Sequence, residues 1–83
     1  MNKETTLLKL KTGEKALVKE ILGGKNVKEK LNAMGIYPGA EIKKSISPSK
    51  GPIIAEILRY KIAIGRGMAE KIIVYENNPD GKS

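Results

Sequence analysis

Short apolar segments, separated by turns that contain glycine and proline, limit the possible folds of this chain more than any other feature. Alternation of apolar and polar residues predicts strands over 42–46 and 53–58. The composition of 15–22, 62–64 and 72–75 predicts three more. Short strands avoid exposed sheet edges by closing into a barrel. The sequence therefore predicts one mainly β domain, a small SH3-like β-barrel of about five strands with one short inserted helix.

The inserted helix is predicted between the first and second strands. Val27, Leu31 and Met34 recur at i, i+4 and i+7, which places them on one face of a helix. Asn26 is a suitable N-cap, and Glu29 three residues later would complete a capping box. We therefore expect a short helix that is capped by Asn26 and packs Leu31 and Met34 against the barrel.

The residues that follow predict how the chain leaves this helix. Gly35 lies where a helix often ends on a left-handed residue. Pro38 and Gly39 suit the central positions of a type II turn, because proline fixes φ at the first and glycine accepts a positive φ at the second. Leu31, Met34, Gly35, Pro38 and Gly39 are therefore expected to be structural residues.

Both ends of the chain are polar. Residues 1–6 and 76–83 lack an apolar pattern, so we expect a flexible N-terminus and a flexible tail. The barrel domain is predicted over residues 7–75. No apolar run approaches the roughly 20 residues of a membrane span, and no secretory signal is visible.

Two absences in the composition exclude several classes of site. The chain contains no histidine and no cysteine. Disulfides, thiolate nucleophiles, zinc sites with nitrogen or sulfur ligands and imidazole-dependent triads are therefore impossible within this chain. A selective transition-metal site would normally require such ligands. We expect no cofactor, no resident metal and no enzymatic activity.

The charge leaves two binding functions open. The formal net charge is +7, from 16 basic and 9 acidic side chains, and only Arg59 and Arg66 are arginines. A small basic barrel could bind nucleic acid through its lysines. Arginine and exposed aromatic residues, which nucleic-acid readers favour, are scarce, and the only aromatics are three tyrosines. A module that binds a protein partner is the other possibility.

The segment Leu31–Ile42, LNAMGIYPGAEI, resembles the signature of the FeoA family, ferrous iron transport protein A. Flanking segments that also resemble the family lie in the expected order at 10–14, 51–53, 60–64 and 69–72. The resemblance extends from about residue 7 to residue 75. It implies an SH3-like barrel that serves as a small cytoplasmic accessory protein of ferrous iron uptake. The implied partner is the membrane transporter that carries a cytoplasmic GTPase domain, contacted through that domain or through the membrane part.

Contacts with such a partner are expected near turns and on the polar faces of strands. The candidates are Tyr37, Lys43, Lys44, Arg59, Lys61 and Arg66. Alternation places Lys44 on one strand face with Ile42 and Ile46, and Lys43 on the other. Many family members carry an arginine directly after the penultimate strand, whereas here Gly65 precedes Arg66. Each lysine could equally serve solubility alone.

Overall fold

The computed structural model describes residues 3–58 and 60–76. These residues form six strands and two helices, in the order β1 (Lys3–Thr6), β2 (Lys15–Ile21), α1 (Lys25–Ala33), β3 (Glu41–Ile46), β4 (Ile53–Ile57), β5 (Tyr60–Ile64), α2 (Arg66–Ala69) and β6 (Ile72–Glu76). The predicted mainly β fold with an inserted helix is confirmed. The described residues contain one strand more than the five expected. No helix among them is long and apolar enough to cross a membrane.

The six strands form a single antiparallel sheet with the order β1-β6-β2-β3-β4-β5. One face of this sheet encloses the core, and the other carries charged side chains together with exposed apolar residues such as Leu17 and Ile46. The buried apolar residues come from every part of the described chain except β1: Leu7, Leu10, Ala16, Val18, Ile21, Leu31, Ile36, Ile42, Ile53, Ala55, Ile57, Ile64, Ala69, Ile72 and Val74.

The additional strand is at the N-terminus. Lys3–Thr6 pairs with β6, from Lys3 opposite Glu76 to Thr6 opposite Ile73. The expectation of a flexible N-terminus over 1–6 is therefore wrong for residues 3–6, and Glu76 belongs to β6 rather than to the tail. Sequence alternation could not reveal β1, because an edge strand held by backbone hydrogen bonds needs no buried side chains. Residues 1–2 and 77–83 lie outside the described residues.

Two bulges change which side chains point inward. The register of β2 shifts between Val18 and Glu20, and that of β3 shifts between Lys44 and Ile46. The extra residue in each strand reverses the alternation beyond it. Ile46, which simple alternation would place with Ile42, is consequently 52% exposed. The prediction that Ile46 shares the inward face was wrong for this reason.

Helix α1 begins earlier than the sequence predicted. Its N-cap is Gly24, and no side chain caps the first turn. Glycine is an acceptable N-cap, so Asn26 lies within the helix and the expected capping box with Glu29 does not form. The apolar face is as predicted: Leu31 is fully buried, and Val27 and Met34 pack against the core at its edge.

The predicted end of α1 is confirmed. The Ile36 N–H donates to the Leu31 carbonyl at 2.9 Å, and the Gly35 N–H donates to that of Asn32 at 3.0 Å. These bonds form a Schellman motif, which requires the left-handed conformation that Gly35 adopts at φ 90°. A Cβ on Gly35 would lie 3.4 Å from Cγ2 of Ile57, so the helix end also packs closely on β4.

The turn at residues 37–40 is confirmed as well. The Ala40 N–H donates to the Tyr37 carbonyl at 2.9 Å, and Gly39 has φ 96°. The turn is held to β2, because Gly39 donates to the carbonyl of Val18 at 2.8 Å and Val18 donates back to Ala40 at 2.9 Å. The segment that carries the sequence resemblance is thus a helix end and a turn that lead into β3.

Candidate docking surface

Charged side chains lie in a row across the outer face of the sheet. Lys15 of β2 is opposite Lys43 of β3, and Lys43 is opposite Glu56 of β4. Glu56 in turn is opposite Lys61 of β5. The residues beside them in sequence on β2, β3 and β4, such as Ile42, point into the core. Lys15, Lys43, Glu56 and Lys61 therefore form a charged row with three ammonium groups and one carboxylate.

A groove of about 240 Å³ lies along this row. We call it the outer groove. Its lining residues are Lys15, Glu41, Lys43, Glu56 and Leu58. The ion pairs between described residues involve none of these five. The groove thus offers two ammonium groups, two carboxylates and one apolar side chain to a ligand.

Lys44 does not belong to this surface, and its prediction as an exposed contact was wrong. Its side chain is buried, with 4% of its area exposed. Its Nζ donates to the carbonyls of Leu8 at 2.5 Å and Leu10 at 2.8 Å. Burial lowers the pKa of Lys44, and the positive charge of Arg66 lowers it further. Lys44 is a structural residue that fastens the segment after β1 to β3.

Arg66, at the start of α2, is also engaged within the protein. Its Nε donates to the carbonyl of Gly51 at 3.0 Å, and its Nη2 donates to that of Pro48. These bonds brace the loop between β3 and β4. The side chain is half-buried, so Arg66 supports a loop as well as lying near the surface.

The remaining candidates are at different places. Lys43 and Lys61 lie in the charged row, whereas Tyr37 is 49% exposed in the turn after α1. Arg59 lies outside the described residues. Among the five candidates that the structure describes, Lys43 and Lys61 are the two that it brings together on the outer face.

Sequence reasoning missed Leu58, which is 81% exposed beside the outer groove. Alternation already placed it on the same strand face as Glu56, so an apolar residue on a polar face was the available signal. Lys15 was missed because its neighbour across the sheet, Lys43, is distant in sequence.

Two other features are less suited to binding. A smaller hollow of about 140 Å³ lies where α1 meets β2 and the turn, beside Lys28 and Pro38. The ring of Tyr75 is covered by Lys19, whose Nζ is 5.9 Å from the ring centre. A 2.8 Å hydrogen bond to Glu4 holds this lysine there and raises its pKa. Lys19 therefore occupies one face of the Tyr75 ring.

The described part of the chain contains no cluster of metal-ligating side chains. No group of three or more acidic side chains there is close enough to hold an ion, and the sequence has no histidine or cysteine.

Comparison with known proteins identifies the family. The FeoA domain matches residues 5–76. A Methanocaldococcus jannaschii protein described as a Fe(2+) transport protein A is 38% identical over 73 residues, which is 88% of each chain. The crystal structure of an iron uptake regulatory protein, FeoA, is 39% identical with a TM-score of 0.82, and the match covers 87% of this chain and 96% of that one.

A more distant structure supports the fold alone. Stenotrophomonas maltophilia FeoA, complexed with zinc and described as a prokaryotic SH3-domain protein, is 20% identical with a TM-score of 0.73. The match covers 84% of this chain and 88% of that chain. The predicted SH3-like architecture is confirmed, and since the family domain spans nearly all of the described residues, the chain belongs to the FeoA family.

Proposed function

We propose that this protein is an accessory protein of ferrous iron uptake that regulates a membrane iron transporter by binding to it. The match of the FeoA domain to residues 5–76 carries this proposal. The 38% identity to a Fe(2+) transport protein A supports it. Iron is then the cargo of the transporter and not a ligand that this chain must hold.

The partner is the cytoplasmic GTPase domain of the transporter or its membrane part, and the protein acts at the cytoplasmic side. Binding without catalysis is supported by the composition, which lacks histidine and cysteine. The outer groove supports it as well, because the charged groups of the groove form no ion pairs with other described residues. The contact residues that we propose are Lys43, Lys61 and Tyr37, with Arg59 added from the sequence alone. Arg66 would contribute through the loop that it braces.

The test is an NMR titration of the isotope-labelled protein. One sample receives the transporter's cytoplasmic GTPase domain, a second receives the intact transporter in lipid nanodiscs, and a third receives a short DNA duplex at the same salt concentration. We expect localised shifts or broadening with the transporter and none with the duplex. Shifts with the duplex alone would favour the nucleic-acid alternative, in which binding falls steeply as salt rises. No response to either form of the transporter would contradict the proposal.

A transport assay separates binding from function. Cells that lack the gene for this protein should take up ferrous iron at an altered rate, and the wild-type gene should restore it. An unchanged uptake rate in cells that depend on this transporter would contradict a regulatory role.

A further inference from the structure

Leu58 is unusual in both its backbone conformation and its exposure. It has a positive φ of 54°, and it is the only non-glycine residue among the described ones to have a positive φ. It is also 81% exposed, the most exposed of the large apolar residues that the structure describes. A bulky side chain in the left-handed region is unfavourable, and an exposed leucine gains little from packing. Neither its conformation nor its burial explains a leucine here.

The hairpin makes the choice of residue more unusual. Ile57 pairs with Tyr60, so Leu58 begins a tight hairpin connection between β4 and β5. Positions with positive φ in such turns favour asparagine, aspartate or glycine, which adopt it easily. Strained residues that the surrounding structure tolerates are frequent at binding sites. The leucine therefore points to a contact outside the chain.

A second, independent feature lies in the same groove. Lys15 and Lys43 are directly opposite each other on adjacent strands, and like charges in this arrangement repel. Neither forms an ion pair with another described residue. A carboxylate placed between the two ammonium groups would relieve this repulsion. Leu58 lines the groove beside them.

We infer that the outer groove receives an apolar side chain and a neighbouring carboxylate from a protein partner. The apolar side chain packs on Leu58, and the carboxylate lies between Lys15 and Lys43. Glu41 and Glu56 in the same groove disfavour a dense array of phosphates, such as a nucleic acid or an anionic lipid surface. They favour a protein segment with few charges. The identity of the partner as the iron transporter rests on the proposed function.

The central test replaces Leu58 with asparagine. Asparagine accepts a positive φ more easily than leucine, so L58N should unfold at the same or a higher denaturant concentration than the wild type. Because the apolar anchor is lost, we expect affinity for the intact transporter in nanodiscs to fall by about tenfold or more. A loss of binding without a loss of stability cannot be attributed to misfolding. L22N is the matched control, since Leu22 is 47% exposed and lies outside the groove.

A second pair of variants tests the carboxylate. K15E should weaken binding by about tenfold, whereas K30E, with the same charge change at an exposed position of α1 outside the groove, should leave the affinity within about twofold. Raising the salt concentration should reduce the difference between wild type and K15E, because salt screens exposed charges. Equal effects of K15E and K30E would mean that only net charge matters and would overturn the carboxylate site.

The outcomes separate this inference from the function on which it rests. If the wild type does not bind the transporter, the proposed function is refuted and the assignment of the partner falls with it. If the wild type binds and L58N binds equally well, the function stands and the groove is the wrong surface. The inference would also be overturned if the wild type bound vesicles of anionic lipid, L58N did not, and the transporter in nanodiscs of neutral lipid was not bound. The ligand of the groove would then be a lipid surface and not a protein segment.

Discussion

Replacement of Lys44 by methionine should destabilise the protein although it removes a buried positive charge. The Nζ of Lys44 donates to the carbonyls of Leu8 and Leu10. Methionine has a similar length and would retain most of the apolar packing of the stem, but it donates no hydrogen bond. The Leu10 carbonyl, whose bond is buried, would then be left without a donor. K44M therefore isolates the effect of the ammonium group.

The magnitude follows from two opposing terms. Hydrogen bonds to charged groups contribute roughly 1.5 to 3 kcal/mol each, so two bonds would give about 3 to 6 kcal/mol. Removing the ammonium relieves its desolvation, which opposes this loss. We expect a net decrease in the free energy of unfolding of about 2 kcal/mol. In a domain of this size such a decrease lowers Tm by about 8 to 16 °C.

The pH dependence gives a second signature of the same contact. Burial and Arg66 lower the pKa of Lys44 in the folded state below its usual value of 10.5. The unfolded chain therefore binds more protons than the folded one between these two pKa values, and the contribution of Lys44 to stability rises with pH across that window. The stability difference between wild type and K44M should accordingly grow as the pH rises from the lowered pKa towards 10.5.

The assay is urea unfolding followed by circular dichroism for wild type, K44M and K43M at several pH values. Lys43 is the matched control, since it is the neighbouring residue on the outer face and K43M should change stability by no more than about 0.5 kcal/mol. Equal or greater stability of K44M would refute the reasoning. It would show that relief from desolvation exceeds the loss of the two hydrogen bonds.

Three further predictions concern the fold. G35A should reduce the free energy of unfolding by about 1 to 2 kcal/mol in urea unfolding, because an alanine at φ 90° is strained and its Cβ approaches Ile57. G67A, inside α2 with open space around it, should have a much smaller effect. L31A should cost about 3 kcal/mol in the same measurement, since Leu31 is fully buried on the only long helix of the described residues; a cost below about 1 kcal/mol would contradict its place in the core. R66M should increase backbone motion of residues 49–51 but not of α1, measured by 15N relaxation, because the bonds to Pro48 and Gly51 are lost. Unchanged relaxation in that loop would show that Arg66 does not brace it.

The parts of the fold that the sequence predicts best are those governed by local chemistry. The spacing of Val27, Leu31 and Met34 predicts the buried face of α1, because a helix fixes the period. Gly35 and Gly39 predict the helix end and the turn, because both positions need a positive φ that few other residues accept. None of these inferences requires knowledge of a distant residue.

The features that the sequence did not predict depend on partners across the sheet. Strand β1 exists because its backbone pairs with β6, some 70 residues later. Ile46 is exposed because a bulge in β3, set by its pairing with β4, reverses the alternation. The prediction that Lys44 lies on the same strand face as Ile42 was correct. Its burial depends on the carbonyls of Leu8 and Leu10, which lie more than 30 residues earlier.

The residues that identify the family and those that form the proposed docking surface are separate sets. Leu31, Met34, Gly35, Pro38 and Gly39 shape a helix end and a turn, and none of them lines the outer groove. Leu58 and Lys15 line the groove. A leucine or a lysine at these positions is not needed to form a helix end or a turn. A substitution in the first set should therefore reduce stability and binding together, whereas L58N should reduce binding alone. Recognition of the family thus establishes the shape of the domain, and comparison of L58N with variants of the first set decides whether the outer groove is the binding surface.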